Sequence, residues 1–211
     1  MNSYAGPGIP VHLVQDWNAI CSAVGELRLF WRFHVRFCGN DQDVSMMEDA
    51  LLFPYRIIRK ALLFTIVTQV RSLLDPAQTP RRKEVLDNLS FDRLVKTLEP
   101  DFFAPHEKLM EMLKEIKQHC EPICTWANKR ICHADLLTVC GQEKLPDVDK
   151  EHFQKALDMM LKLLHVIHVY FHGPHALMAL PDRDGDADKL IDCIRIARKT
   201  KQDELARMGF L

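Results

Sequence analysis

Glycine is scarce in this chain, at 8 of 211 residues, or about 4% against a usual share of roughly 7%. That shortage argues against turn-rich sandwiches and barrels and against Gly-rich disorder, and it leaves helix as the default. A long apolar run is missing too. The most apolar stretch, Ala61 to Val70, is broken by Thr65, Thr68 and Gln69 and falls far short of the roughly 20 residues that cross a bilayer. No membrane-spanning role is therefore expected. An excess of one charge is also absent: 28 basic and 29 acidic residues leave a net charge of -1. This excludes a polybasic nucleic-acid coat but not a local basic patch. Met1 to Pro10 carries no basic-then-apolar pattern, so no secretory signal is expected. The seven cysteines are odd in number, scattered and without zinc-ribbon spacing, which reads as reduced thiols in a cytoplasm. A chain of this length buries roughly 70% of its unfolded surface. No disulfide, structural metal or cofactor is required.

What is present is helical periodicity. Leu13, Trp17, Ile20, Val24, Leu27, Trp31, Val35 and Cys38 recur at steps of four and three, as do Leu51, Tyr55, Ile58, Leu62, Ile66, Val70 and Leu73. Pro54 marks a first turn or a kink in the second stripe. A polar link through Asp75-Pro76 and Pro80-Arg81-Arg82-Lys83 leads to Ser90, an N-cap for a short helix over Phe91 to Leu98. Leu109, Leu113, Ile116, Cys120, Ile123, Ala127, Arg130 and Ala134 repeat next, interrupted by Pro122. After Gly141 and the Asp147/Asp149 start signal come Phe153, Leu157, Met160, Leu164 and Ile167, ended by Gly173-Pro174. A charged segment from Ala187 to Met208 has a thin stripe of Leu190, Ile194 and Ile196. The pattern predicts an all-α, up-and-down helical bundle over residues 10–175 with a C-terminal helical extension over 183–211. Phe30, Phe33 and Phe37 add a second apolar face to the first helix, which predicts either a central helix or a subunit interface.

The stretch Trp126 to Leu136 holds the most unusual chemistry. At about 100° per residue, Lys129, Arg130 and His133 share one patch overlapping the core-facing stripe. Such a patch needs partners: either a satisfied polar network at a helix interface, or a groove, a second subunit or an anionic ligand. Asp135, Asp92 and Asp75 are the candidate counter-charges. Weaker signals point elsewhere. His165, His168 and His172 fall on one helix face, but no carboxylate or cysteine follows at ligand distance, so they read as a polar face. Asp182 to Asp188 has alternating acids, but its glycine stands at the wrong place for a calcium loop, so it reads as a solvated loop before the last helix. Arg28, Arg32 and Arg36, with Arg56, Arg59 and Lys60, read as solvated faces or as a track for phosphates.

Asn128-Lys129-Arg130-Ile131-Cys132-His133-Ala134-Asp135-Leu136 resembles the signature helix of the HEPN superfamily, most closely its abortive-infection AbiU-like branch. Val70-Arg71-Ser72-Leu73-Leu74-Asp75-Pro76 and Asp87-Asn88-Leu89-Ser90-Phe91-Asp92-Arg93-Leu94 match the same branch upstream. The resemblance spans about residues 50 to 170. It implies a HEPN-like helical bundle that dimerises with two signature helices facing each other. It further implies a cytoplasmic, metal-independent endoribonuclease of toxin or antiphage systems, acting on RNA without DNA specificity and paired with an antitoxin. In that chemistry the RNA 2′-hydroxyl attacks the adjacent phosphate. His133 matches the motif histidine, the general acid/base, and Asn128 matches the polar position that orients it or the phosphate. The motif arginine has no counterpart, since Ala127 occupies its position and Arg130 lies one turn away. Arg130 or Arg71 substitutes for it in space, or the chain is a non-catalytic RNA-binding or protein-interaction module, or the alanine was introduced to silence an enzyme. The expected site is thus His133, Arg130 and Asn128, with Lys129, Ala127, Asp135 and Arg71 in binding roles.

Overall fold

The computed structural model describes residues 8–39, 41–81, 84–98, 105–132, 138, 140–173 and 186–208. The architecture is all-α, with one small hairpin. A 3-10 turn, Val11–Leu13, leads into α1 (Val14–Cys38), followed by α2 (Asp41–Leu73). Strands β1 (Gln78–Arg81) and β2 (Glu84–Asp87) pair antiparallel, with Gln78 opposite Asp87 and Arg81 opposite Glu84. Then come α3 (Phe91–Leu98), α4 (His106–Trp126), a π-helical turn (Ala127–Cys132), α5 (Lys150–His172) and α6 (Asp186–Arg207). No described helix is long and apolar enough to cross a membrane.

The chain divides into two compact units, residues 1–28 with 66–181 and residues 29–65 with 182–211. In the first, the expected stripes form the core. Leu13 of the 3-10 turn and Trp17, Ile20, Val24 and Leu27 of α1 are buried, as are Ile66, Val70 and Leu73 of α2 and Leu109, Leu113, Ile116, Cys120 and Ile123 of α4. The predicted α5 stripe, Phe153 to Ile167, is buried throughout. Burial pushes the Cys21 and Cys120 thiols up to about 12, so both are neutral core residues. Cys21, Cys38, Cys120, Cys124, Cys140 and Cys193 are free.

Local chemistry sets the helix ends. Ser90 Oγ accepts the Arg93 backbone N–H at 3.3 Å and starts α3 at the expected residue. Asp149 does the same for α5, accepting His152 N–H at 2.8 Å. Gly173, with φ of 84°, closes α5, a conformation that favours glycine. Helices α4 and α5 are also tied by a reciprocal histidine pair. The rings of His119 and His152 stack at 4.0 Å, and each Nε2 donates to the other's backbone carbonyl, at 3.0 and 2.7 Å. A carbonyl only accepts, so both rings carry a proton on Nε2. At Gly8 an added Cβ would lie 2.1 Å from the Phe171 carbonyl oxygen. Gly8→Ala is therefore expected to cost about 1–3 kcal/mol by overpacking, read as a lowered thermal midpoint.

In the second unit, Phe37, Met46, Met47, Tyr55 and Ile191 form a buried cluster, against which Phe33, Leu51 and Ile194 pack. Tyr55 Oη donates to the Phe37 carbonyl at 2.7 Å. Arg195 bonds Asp43 at 2.9 Å, and Arg198 bonds Asp49 at 2.9 Å. Helix α6, expected as part of a C-terminal extension over 183–211, thus packs in one unit with residues 29–65 through Ile191 and Ile194. Phe33 and Phe37, two of the three phenylalanines on the second apolar face of α1, pack in the same core.

Three expectations are corrected here. The polar link after Asp75 is a β-hairpin, held by Asn88, whose side chain donates to Pro76 O and Thr79 Oγ1, both at 2.7 Å. His168 belongs to no polar face: it is buried and stacks on Trp17, with centroids 6.4 Å apart. Ile58, assigned to the core stripe, is 44% exposed. Asp182 to Gly185, read as a solvated loop, lie outside the described residues.

Candidate functional site

The candidate site stands where the C-terminal end of α2 meets the end of α4. Two of the stretches singled out in the sequence contribute to it, through Arg71 and Asn128. Arg71 lies in the last turn of α2, and its Nε donates to Asn128 Oδ1, 57 residues away in sequence. Its Nη1 meets the Asp75 carboxylate at 3.3 Å. A guanidinium has five donors in a fixed plane, so the Nη2 amino group stays uncommitted to these two partners. Cys124 sits beside this pair, one turn before Asn128. Burial raises its thiol pKa, against the pull of the Arg71 charge. Arg71 therefore projects its charge into a half-buried setting, where it is screened less than on open surface.

The local backbone explains which residues of the signature block reach the surface. From Ala127 to Cys132 the helix widens into a π turn, closing i→i+5 bonds with fewer degrees between successive residues than an α-helix. The four-three stripe is carried as far as Ala127, which is fully buried. Beyond it the register slips, so Arg130, expected on the core side, is exposed together with Asn128. Ala127 was expected in a binding role. The structure corrects this, because a side chain with 0% exposure packs in the core and meets no ligand.

The cations do not stay together. Lys129 pairs with Glu143, in the loop after the signature block, and that loop is pinned by Trp126 Nε1 donating to Pro146 O at 2.9 Å. Arg130 makes no ion pair among the described residues. His133 and Asp135, the expected acid/base and counter-charge, lie outside the described residues. The described counter-charges are Asp75 for Arg71 and Glu143 for Lys129. Glu143 was missed, and the signal available was only an acid one short loop downstream of a cation cluster.

Asp92, also proposed as a counter-charge, serves elsewhere. It is buried and accepts Lys117 Nζ at 2.7 Å, Lys96 Nζ at 2.8 Å and the Ala77 backbone N–H at 2.9 Å. Burial opposes its ionisation, but the bonds from Lys117, Lys96 and Ala77 outweigh that penalty and hold its carboxyl at about 2. Because the folded value lies below the ordinary 3.8, Asp92 contributes stability above that pH and loses it as pH falls toward about 2. Asp92→Asn is expected to remove about 2 kcal/mol at neutral pH and to flatten the loss between about pH 4 and about pH 2, as measured by urea unfolding. A cavity of about 400 Å³ beside it is lined by Pro76, Ala77, Gln78, Arg93, Lys96 and Thr97. Its cations are already neutralised: Arg93 by Asp16 at 2.8 Å and Asp87 at 2.9 Å, and Lys96 by Asp92. The Asp87 to Leu94 block is thus the structural joint between hairpin and α3.

No three His, Cys, Asp or Glu side chains are grouped as metal ligands among the described residues, the histidines of α5 included. Compared with models of protein families, with curated proteins and with solved structures, the chain matches none.

Proposed function

We propose that this protein is a metal-independent endoribonuclease of the HEPN kind, with a site built from Arg71, Asn128 and His133 in each copy of a homodimer. The observation that carries this reading is the hydrogen bond from the Arg71 guanidinium to the Asn128 amide. The motif's arginine position holds Ala127, yet a guanidinium reaches the adjacent residue from a second helix, so the charge is supplied in space. The π turn adds support, since such turns recur at functional sites, and this one lifts Asn128 and Arg130 to the surface just before His133.

The chemistry assigns each group a task. The His133 imidazole takes the proton of the RNA 2′-hydroxyl, whose oxygen attacks the adjacent phosphorus. The bond from phosphorus to the 5′-oxygen breaks, leaving a cyclic phosphate and a 5′-hydroxyl. The leaving oxygen takes its proton from a protonated imidazole, which the two-fold mate of His133 supplies. The Nη2 donors of Arg71 stabilise the charge that develops on the phosphoryl oxygens, and Asn128 holds that guanidinium in place. Arg130, exposed on the same turn, contacts a neighbouring phosphate. A nuclease of this kind works in the cytoplasm in toxin or antiphage systems, where an antitoxin restrains it.

The test is incubation of the purified chain with structured RNA in EDTA, beside His133→Ala. Cleavage by the parent that is lost in the variant is the expected result. RNA retained in a gel shift without cleavage by either protein replaces the nuclease with a non-catalytic RNA-binding module. Neither cleavage nor binding removes RNA as the ligand. A monomeric mass in light scattering at micromolar concentration counts against the two-fold site.

A further inference from the structure

The middle of α2 presents an apolar face that folding leaves uncovered. Phe53 is 72% exposed and Ile57 55%; Ile58, 44% exposed, lies about 100° further round the helix. Tyr55, between them, points the opposite way into the cluster with Phe37 and anchors the helix on its far side. At about 100° per residue, Phe53, Ile57 and Phe64 fall within about 40° of one another, with Ala61 beside them. This is one stripe, about 12 residues or 18 Å long.

The charge along the same window has one sign. No acid occurs between Asp49 and Asp75, while Arg56, Arg59 and Lys60 fall inside the exposed stretch. Arg56 and Lys60 flank the apolar stripe on one side. Among the described residues the only ion pair of the three is Arg56 with Glu48, at 3.7 Å and with Arg56 itself 64% exposed. Lys60 lies over the Phe64 ring at 5.2 Å, so its charge sits at the edge of the stripe.

These features select among occupants. A second copy of the same face brings cations against cations with no acid in the window to pair them. RNA answers the cations and the Phe53 ring, but it brings no apolar surface to cover Ile57 and Ala61. A membrane surface is disfavoured by Glu48 and Asp49, which stand one turn before Phe53 and confine the acid-free surface to a short window. An amphipathic helix with an acidic edge answers both halves of the face. We propose that Phe53 to Phe64 docks an acidic amphipathic helix of a partner protein, its apolar side chains covering Phe53 and Ile57 and its carboxylates pairing with Arg56 and Lys60. The proposal does not depend on the RNA reading.

The probe is a fluorescein-labelled synthetic helix of about 14 residues, leucines on one face and glutamates along the other, titrated with the full chain at low salt and read by anisotropy. Saturable binding is expected, weakened at least about tenfold by Ile57→Glu and by Arg56→Glu with Lys60→Glu. The charge-reversed chain is expected to bind the same peptide carrying lysines in place of its glutamates. All three positions are exposed, so thermal midpoints should stay within about 2 °C of the parent's. Absence of saturable binding, equal binding by the variants, or no recovery on charge reversal overturns the proposal. So does a face that ignores the peptide but binds single-stranded RNA or phosphatidylserine vesicles, or self-association that Ile57→Glu abolishes.

Discussion

Ala127→Arg, which places an arginine where the resembled motif has one, is expected to destabilise the fold by about 3 kcal/mol or more and to yield no gain of activity. Ala127 is fully buried at the junction of α4 with the π turn, following Ile116, Cys120 and Ile123 along one core stripe. A guanidinium placed there overfills a close-packed site, and its charge has no partner in a stripe of aliphatic side chains and thiol. Urea unfolding of the variant beside Ala127→Ser separates the two costs, since serine adds one polar atom and little volume. A variant that keeps the parent's unfolding midpoint and cleaves RNA faster would show that position 127 faces the substrate. A disarmed enzyme is correspondingly the least favoured of the three explanations for the alanine, because the residue has a packing role of its own.

How far the chain could be read from its residues depended on whether the signal was local. Helix α3 was legible to the residue because Ser90 is a cap whose hydroxyl meets the Arg93 amide within one turn. The α4 and α5 stripes were legible because burial repeats with the helical period. The hairpin escaped notice: Gln-Thr-Pro-Arg and Glu-Val-Leu-Asp alternate weakly, every residue of both strands is exposed, and the turn lacks the Gly or Asn that announces a hairpin. The π turn was invisible for a different reason. A template of 3.6 residues per turn placed Arg130 in the core, and one widened turn reverses that side chain's fate. The C-terminal helix reads as an extension with a thin stripe of Leu190, Ile194 and Ile196, yet the fully buried residue is Ile191, outside that stripe. Lys129, Arg130 and His133 were grouped by angle alone, which says nothing of Glu143 across a loop. The Arg71–Asn128 contact joins two blocks that were recognised separately, and only the tertiary fold brings them together.

If the chain is the proposed ribonuclease, Arg71→Ala is expected to lower RNA cleavage by about 10²–10³-fold, with kcat and kcat/KM falling together. The effect belongs to the transition state because negative charge grows on the phosphoryl oxygens as the 2′-oxygen attacks, and a donor already held in place is worth most at that moment. The fold should tolerate the change. Arg71 is half-buried, its ion pair with Asp75 is partly exposed, and pairs of this kind contribute about 0–1 kcal/mol. Arg71→Lys discriminates position from charge. A lysine keeps the cation but is a point charge on a flexible stem, so it cannot bond Asn128 and Asp75 while presenting a further planar pair of donors. Its rate is expected to lie between those of the alanine variant and the parent. Asn128→Asp should lower the rate without loss of fold, because its carboxylate draws the guanidinium into an ion pair and neutralises the charge meant for phosphate. Single-turnover cleavage of one RNA oligonucleotide by the parent and these three variants orders the effects. Cleavage that proceeds at the parent's rate in Arg71→Ala removes the guanidinium from the chemistry and leaves Arg130, exposed on the π turn, as the remaining described candidate.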